Sequence, residues 1–254
     1  MSILLVNDDG LRSPGIKAAR NVLTDFDDVY TVVPDRERSG ASHSITLSYP
    51  LQLHEVEEQV YECSGTPADC VKIGLRDVME DERPDLIVSG INPGGNIGSA
   101  IHYSGTVAAA AEAAIMGFPS IAISITSHNP TSYRAASEFL KNIVPKIIEN
   151  GLPKWVLLNV NVPDLPSDNI KGARLVPQGL TFYDDYFEQY VDHHGKKHYW
   201  MVGDIKSSDD RPDNDLIAID QGYIAVTPVY LEVTAHKHLK HFEGWGIKDV
   251  WQKL

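Results

Sequence analysis

Ile3-Leu4-Leu5-Val6-Asn7-Asp8-Asp9-Gly10 is an apolar run that stops on an amide, two carboxylates and a glycine. Apolar residues at every position, rather than every second one, fit a strand buried on both faces. Four later runs share the pattern: Tyr30-Thr31-Val32-Val33 before Pro34-Asp35, Leu86-Ile87-Val88 before Ser89-Gly90, Ile121-Ala122-Ile123-Ser124, and Val156-Leu157-Leu158-Asn159-Val160. Helix-like segments lie between them, at about Ile16 to Thr24, Pro67 to Met79, Thr106 to Met116 and Tyr133 to Asn150. The third is rich in alanine, a strong helix former, and the last stops at Gly151. Strands alternating with helices predict βαβ units: an α/β fold with a mostly parallel sheet and helices on both faces.

After about residue 165 the texture changes. Residues 172–204 are rich in Tyr, His and Asp, with short runs such as Tyr199-Trp200-Met201-Val202, and Ile224-Ala225-Val226-Thr227-Pro228 follows. This part is expected to form antiparallel hairpins appended to the α/β body, with a further hairpin over Leu51–Cys63. No repeat or low-complexity linker interrupts the chain, so residues 1–254 are expected to be one domain: an α/β core over about 1–165, then hairpin and C-terminal elements over about 166–254.

The chain has 254 residues, and 22 basic against 35 acidic side chains give a net charge of −13. That balance disfavours a general binder of nucleic-acid polymers or membrane surfaces, because an acidic surface repels phosphate backbones. An acidic protein that handles phosphates usually recruits a cation. Cys63 and Cys70 match neither a zinc pattern nor a disulfide framework. Residues 1–10 carry no basic segment of the signal-peptide kind, and no apolar stretch nears the ~20 residues that cross a bilayer. A cytoplasmic protein with no membrane partner is the expectation.

In open α/β sheets ligands bind beyond the carboxyl ends of the strands, where the polar clusters of this chain fall. Asp8 and Asp9 follow the first strand. Like charges so close repel, and a divalent cation removes the cost. Carboxylate, amide and hydroxyl oxygens suit a hard ion, Mg²⁺ or Mn²⁺. The plainer alternative is a solvated turn with one aspartate capping the next helix. Asn92 and Asn96 lie in a loop with Gly90, Gly94, Gly95 and Gly98, which either lets backbone N–H groups approach a ligand or is a simple turn. Tyr103-Ser104-Gly105-Thr106 opens the alanine-rich segment, and Ser104 or Thr106 would cap that helix. Such an N-terminus is a ready phosphate site, although capping alone explains one hydroxyl. P-loop, G-x-G-x-x-G, G-x-S-x-G and H-E-x-x-H patterns are absent. His193, His194 and His198, and His236, His238 and His241, cluster in charged segments. They are read as exposed rather than metal-binding.

Taken together, ILLVNDDG (3–10), PDRERSGASHSITL (34–47), CSGTPAD (63–69), SGINPGGNIG (89–98), YSGTVAAAA (103–111), NVNVPD (159–164) and GYIAVTP, which ends at Pro228, resemble the SurE family of stationary-phase survival nucleotidases. The likeness runs nearly end to end. It implies a Rossmann-like α/β body with hairpin extensions. It also implies a divalent-metal-dependent phosphatase acting on nucleoside 5′- and 3′-monophosphates, with short polyphosphate as a further substrate. One Mg²⁺ or Mn²⁺ per subunit and a homodimer or homotetramer built by exchanging C-terminal elements follow from the same resemblance. Matched by position, Asp8, Asp9, Ser39 and Asn92 would hold the metal, Asn96, Ser104, Gly105 and Thr106 would meet the phosphate, and Asp8 or Asp9 would act as base. Where the family has an acidic pair, this chain has Ser99-Ala100, which bears on substrate preference or metal support. Two other readings predict different behaviour. A metal-dependent transferase would need an acceptor other than water, and a nucleotide-sensing protein would bind without releasing phosphate.

Overall fold

In the computed structural model, which describes residues 1–26, 28–209 and 211–250, the opening run forms strand β1 (Ser2–Val6), buried at every position. Helix α1 (Pro14–Leu23) follows. Ser13 caps it by accepting from Gly15 N at 3.3 Å, Pro14 takes the first turn, and Ile16, Ala19 and Leu23 form its buried stripe. Then come β2 (Asp28–Pro34), β3 (Leu53–Glu57), β4 (Val60–Cys63), α2 (Pro67–Ile73), β5 (Leu86–Pro93), α3 (Gly105–Ile115), β6 (Ser120–Ile125), α4 (Arg134–Asn150) and β7 (Val156–Val162). The remaining elements are β8 (Ala173–Leu175), β9 (Thr181–Val191), β10 (Lys197–Ser207), α5 (Asp215–Asp220), β11 (Ile224–Tyr230), α6 (Leu239–Glu243) and α7 (Ile247–Val250).

Nine strands make one sheet in the order β3-β4-β2-β1-β5-β6-β7-β11-β8. Pairing is parallel from β4 through β7 and antiparallel only at β3/β4 and β7/β11. The chain leaves β1 toward β2 on one side and returns to place β5 on the other. The order therefore reverses between β1 and β5, where open α/β sheets leave a crevice at their carboxyl edge. One core, with Leu5, Ile16, Ile123 and Leu140, lies under α1 and α4; another, with Leu4, Val32, Val71 and Ala109, lies under α2 and α3. Every residue of α3 except Ile115 is buried, and its alanines let it lie close on β5 and β6.

Three elements differ from expectation. The helix expected over Pro67 to Met79 is α-helical only to Ile73 and widens into a π turn over Gly74–Val78. A Cβ at Gly74 would come within 3.0 Å of both Leu4 methyls. Ser89–Pro93, expected as loop, continues β5. It carries a register shift between Gly90 and Asn92 and a cis Gly90–Ile91 peptide. Gly90 has φ 124°, and a Cβ there would sit 2.2 Å from the Ile123 carbonyl oxygen. Residues 224–230, expected in an appended hairpin, instead join the main sheet beside β7 with β8 at its edge. Ile224, Ala225 and Thr227 are buried, which a two-stranded hairpin in solvent does not provide. The hairpin expected over Leu51–Cys63 forms as β3/β4, and the one expected within residues 172–204 forms as β9/β10, a separate two-stranded sheet. Cys63 and Cys70 are free and buried, and no described helix is long and apolar enough to cross a membrane.

Asp215, in the first turn of α5, is fully buried and ties the body to the hairpin. Its carboxylate accepts from Gly98 N and Gly179 N, each at 2.8 Å. Asp215→Ala orphans both donors and is expected to cost on the order of 3 kcal/mol. For a chain of this size that lowers the melting temperature by about 6–12 °C. A drop under about 2 °C would show that the carboxylate does not carry these loops.

Candidate active site at the β1/β5 crevice

The crevice at the order reversal opens into a cavity of about 360 Å³. Asp8 beyond β1, Glu37 and Ser39 beyond β2, Asn92 at the carboxyl end of β5, Asn96 just beyond it, and Ser104 at the head of α3 all line it. Three loops at successive strand ends thus meet, as their polar and glycine-rich composition suggested.

Asp8 is the most constrained member, at 4% exposure. Its Oδ1 accepts from the Thr106 hydroxyl at 2.6 Å. Burial pushes its carboxyl up, against hydrogen bonds from Thr106 and backbone N–H groups that favour the ionised form. Asp9 is half-buried and points toward the start of α1, where Ser13 Oγ lies 3.5 Å from its Oδ2. Burial, then the charges of Asp8 and Glu37, push its carboxyl up to about 7. Among the described residues neither aspartate has a basic ion-pair partner. Ser39 is exposed and donates to Glu37 Oε1 at 2.8 Å, which leaves its oxygen lone pairs available. The Asn92 amide NH₂ donates to the Gly94 carbonyl at 2.7 Å, so its carbonyl oxygen faces away from that bond. Two carboxylates without cationic partners, an amide oxygen and a hydroxyl are a donor set for a hard dication, so these residues fit the implied metal.

The expected phosphate residues fall into two groups. Asn96 and Ser104 line the cavity. The Asn96 side chain donates to Ser124 Oγ at 2.8 Å, and Ser104 Oγ caps α3 by accepting from Val107 N at 3.0 Å. Gly105 and Thr106 lie behind the wall and work on Asp8. Thr106 is fully buried with its hydroxyl on the carboxylate, and a Cβ at Gly105 would sit 2.9 Å from Asp8 Cβ and Oδ2.

Several residues of the site were not anticipated. Asn159 and Asn161 both donate to the Asn96 carbonyl, at 2.8 and 3.1 Å, and Asn161 Oδ1 accepts from Asn96 N at 2.7 Å. Their signal was two asparagines at alternate positions of a buried run, which face one side of the sheet. Glu37, His128 and Tyr183 also line the cavity, brought there by loops that periodicity does not place. Among the described residues no three His, Cys, Asp or Glu side chains gather to hold an ion, and His198 and His236 pair with Asp192 and Glu232.

The raised Asp9 carboxyl sets a pH dependence. A carboxyl raised in the folded state favours folding below the unfolded value of about 4 and loses that contribution as pH rises through about 7. Chelator-treated protein is therefore expected to melt higher at pH 5 than at pH 8, and Asp9→Asn to flatten that decline. An unchanged slope in Asp9→Asn would exclude this carboxyl as the cause.

Comparison with known proteins gives a consistent result. A family model described as "Survival protein SurE" matches residues 3–185. A protein of Fervidobacterium nodosum named 5′-nucleotidase SurE is 43% identical over 250 residues, covering 96% of each chain. Another of that name from Geobacter metallireducens is 40% identical over 251 residues, covering 98% of this chain and 99% of its own. The crystal structure of the SurE protein from Aquifex aeolicus superposes with a TM-score of 0.85 at 39% identity, covering 96% of this chain and 99% of that one.

Proposed function

Because the chain belongs to the SurE family of survival proteins, we propose that it is a metal-dependent 5′-nucleotidase, which hydrolyses nucleoside monophosphates to nucleoside and phosphate. The observation that carries the reading is Asp8 lining the β1/β5 crevice with Asp9 next to it, two adjacent carboxylates with no basic ion-pair partner among the described residues.

Asp8, Asp9, Ser39 and Asn92 would hold one divalent ion, Mg²⁺ or Mn²⁺. When bound, such an ion withdraws charge from a phosphoryl oxygen and makes a nearby water more acidic. Asp8 or Asp9 accepts a proton from the attacking water. Asn96, pinned by Asn159 and Asn161, presents its amide to the phosphate from one wall. Ser104, at the head of α3, presents its hydroxyl from the other, with the N-terminus of that helix behind it. Thr106 meanwhile holds Asp8 in place. The phosphate is thus positioned for in-line displacement by groups that need not reorganise.

The reading extends to nucleoside 3′-monophosphates and short polyphosphate, because these phosphate contacts do not involve the sugar. It also extends to a homodimer or homotetramer. Phe187, Tyr190 and Trp200 stand exposed on the β9/β10 hairpin, as residues awaiting a second copy would. An acidic protein with no membrane-spanning helix among its described residues suits the cytoplasm.

The test is phosphate release from a panel of nucleoside monophosphates, with and without EDTA. Release that EDTA abolishes and Mg²⁺ or Mn²⁺ restores supports the reading; binding without release under either ion refutes it.

A further inference from the structure

Of the four residues that would hold the metal, Ser39 has the least support from the main sheet. Asp8 and Asp9 follow β1 directly, and Asn92 lies in β5. Ser39 belongs instead to residues 35–52, a strap that contains no helix or strand and is largely exposed. Just before Ser39 the strap is anchored by Arg38 N, which donates to the Asp8 carbonyl at 2.8 Å. Beyond Ser39 it is held to α2, α3 and the turn before α3. Ser42 donates from its N–H to the Tyr103 carbonyl at 3.1 Å and from its hydroxyl to the His102 carbonyl at 2.6 Å. Thr66 Oγ1 donates to the Ser44 carbonyl at 2.7 Å, and Thr46 N donates to Asp69 Oδ1 at 3.1 Å. On the strap's side these contacts use backbone groups or a neutral hydroxyl.

His43 makes a contact of another kind. Its Nε2 donates to Glu112 Oε2 at 2.9 Å, while Lys72 Nζ meets Glu112 Oε1 at 2.6 Å. Glu112 is the one acid of α3, and it is 5% exposed on a helix otherwise made of Gly, Thr, Val, Ala and Ile. A carboxylate buried in such surroundings is costly unless its oxygens find donors. Lys72 of α2 serves one oxygen. The other is served by the strap, four residues past Ser39, so the need of a buried acid draws the strap down onto α3.

We propose that His43 is a positioning residue for the metal site: through Glu112 it clamps the strap to α3 and so holds the Ser39 hydroxyl at the crevice. The proposal rests on the metal-dependent nucleotidase reading and adds what keeps the one ligand outside the sheet in place. His43 itself does not line the cavity, and it acts only through Ser39. A hydrogen bond to a charged group is among the stronger single contacts a protein makes, so its loss is felt at the far end of a strap with few other ties.

The test is calorimetric binding of Mn²⁺ to the metal-stripped full chain, for wild type, His43→Ala, His43→Gln, Ser39→Ala and the double variant His43→Ala with Ser39→Ala. The Mn²⁺ concentration giving half-maximal phosphate release from AMP is measured beside it. His43→Ala is expected to weaken Mn²⁺ binding about tenfold and to raise the half-activating concentration to match, while turnover at saturating Mn²⁺ falls less than the affinity does. His43→Gln, which restores an N–H donor, is expected to recover most of the affinity. In the Ser39→Ala background, His43→Ala is expected to add less than about twofold, because the two act through one ligand. Wild-type affinity in His43→Ala, or the same loss with and without Ser39, would overturn the proposal. A wild type that binds Mn²⁺ but releases no phosphate would refute the nucleotidase reading alone, and the affinities would still decide the role of His43. A wild type that binds no Mn²⁺ would overturn both.

Discussion

Asp8→Asn is expected to lower turnover of AMP by about a thousandfold or more, because a carboxylate that would hold the cation is worth several kcal/mol of transition-state stabilisation. The fold is expected to survive. Asparagine has nearly the same shape, and its carbonyl oxygen accepts the Thr106 hydroxyl as Asp8 Oδ1 does. It also removes a charge that burial disfavours. Chelator-treated Asp8→Asn should then melt at or above chelator-treated wild type, although activity is gone. Near wild-type turnover would remove Asp8 from the site. A large fall in melting temperature would make its role structural.

Gly105→Ala is expected to separate activity from stability in the same way, by sterics rather than charge. Alanine is the better helix former, and residue 105 is the first of α3. Yet the added methyl would lie 2.9 Å from Asp8 Cβ and Oδ2 and 3.1 Å from Pro67 Cγ, closer than carbon atoms sit. Pro67 belongs to a capped first turn: Thr66 and Asp69 exchange reciprocal hydrogen bonds there, and it gives little. The Asp8 carboxylate must move instead. Loss of activity by about a hundredfold, with a melting temperature within a few degrees of wild type, is the expected result. Activity within about threefold would show that Asp8 has slack at this contact.

How far the sequence could be read depended on what set each feature. Buried parallel strands are marked by unbroken apolar runs, so β1, β2, β5, β6 and β7 were legible. Their carboxyl ends are polar and glycine-bearing, so the sequence already pointed to Asp8 and Asn92 as neighbours, with Ser104 at the helix start that follows. Long-range pairing left a weaker trace. The strand at 224–230 reads alike in a hairpin or a sheet, and only its neighbour β7 decides. Asp215 reads as an ordinary helix-start carboxylate, and its reach to Gly98 spans 117 positions that no local pattern reports. Asn159 and Asn161 were visible as polar residues in a buried strand, but their target, the Asn96 backbone, was not. Thr106 was read as an anion-binding hydroxyl at a helix start. The structure turns the same helix start toward Asp8, and two adjacent acids account for that: a buried carboxylate needs a donor.

The most direct test of the account is phosphate release from AMP by the full chain. It is followed first in EDTA and then after Mg²⁺ or Mn²⁺ is restored, for wild type and Asp8→Asn in parallel. The account predicts no release in EDTA, recovery with metal in wild type, and no recovery in the variant. Release that persists in EDTA, or full recovery in Asp8→Asn, would contradict it.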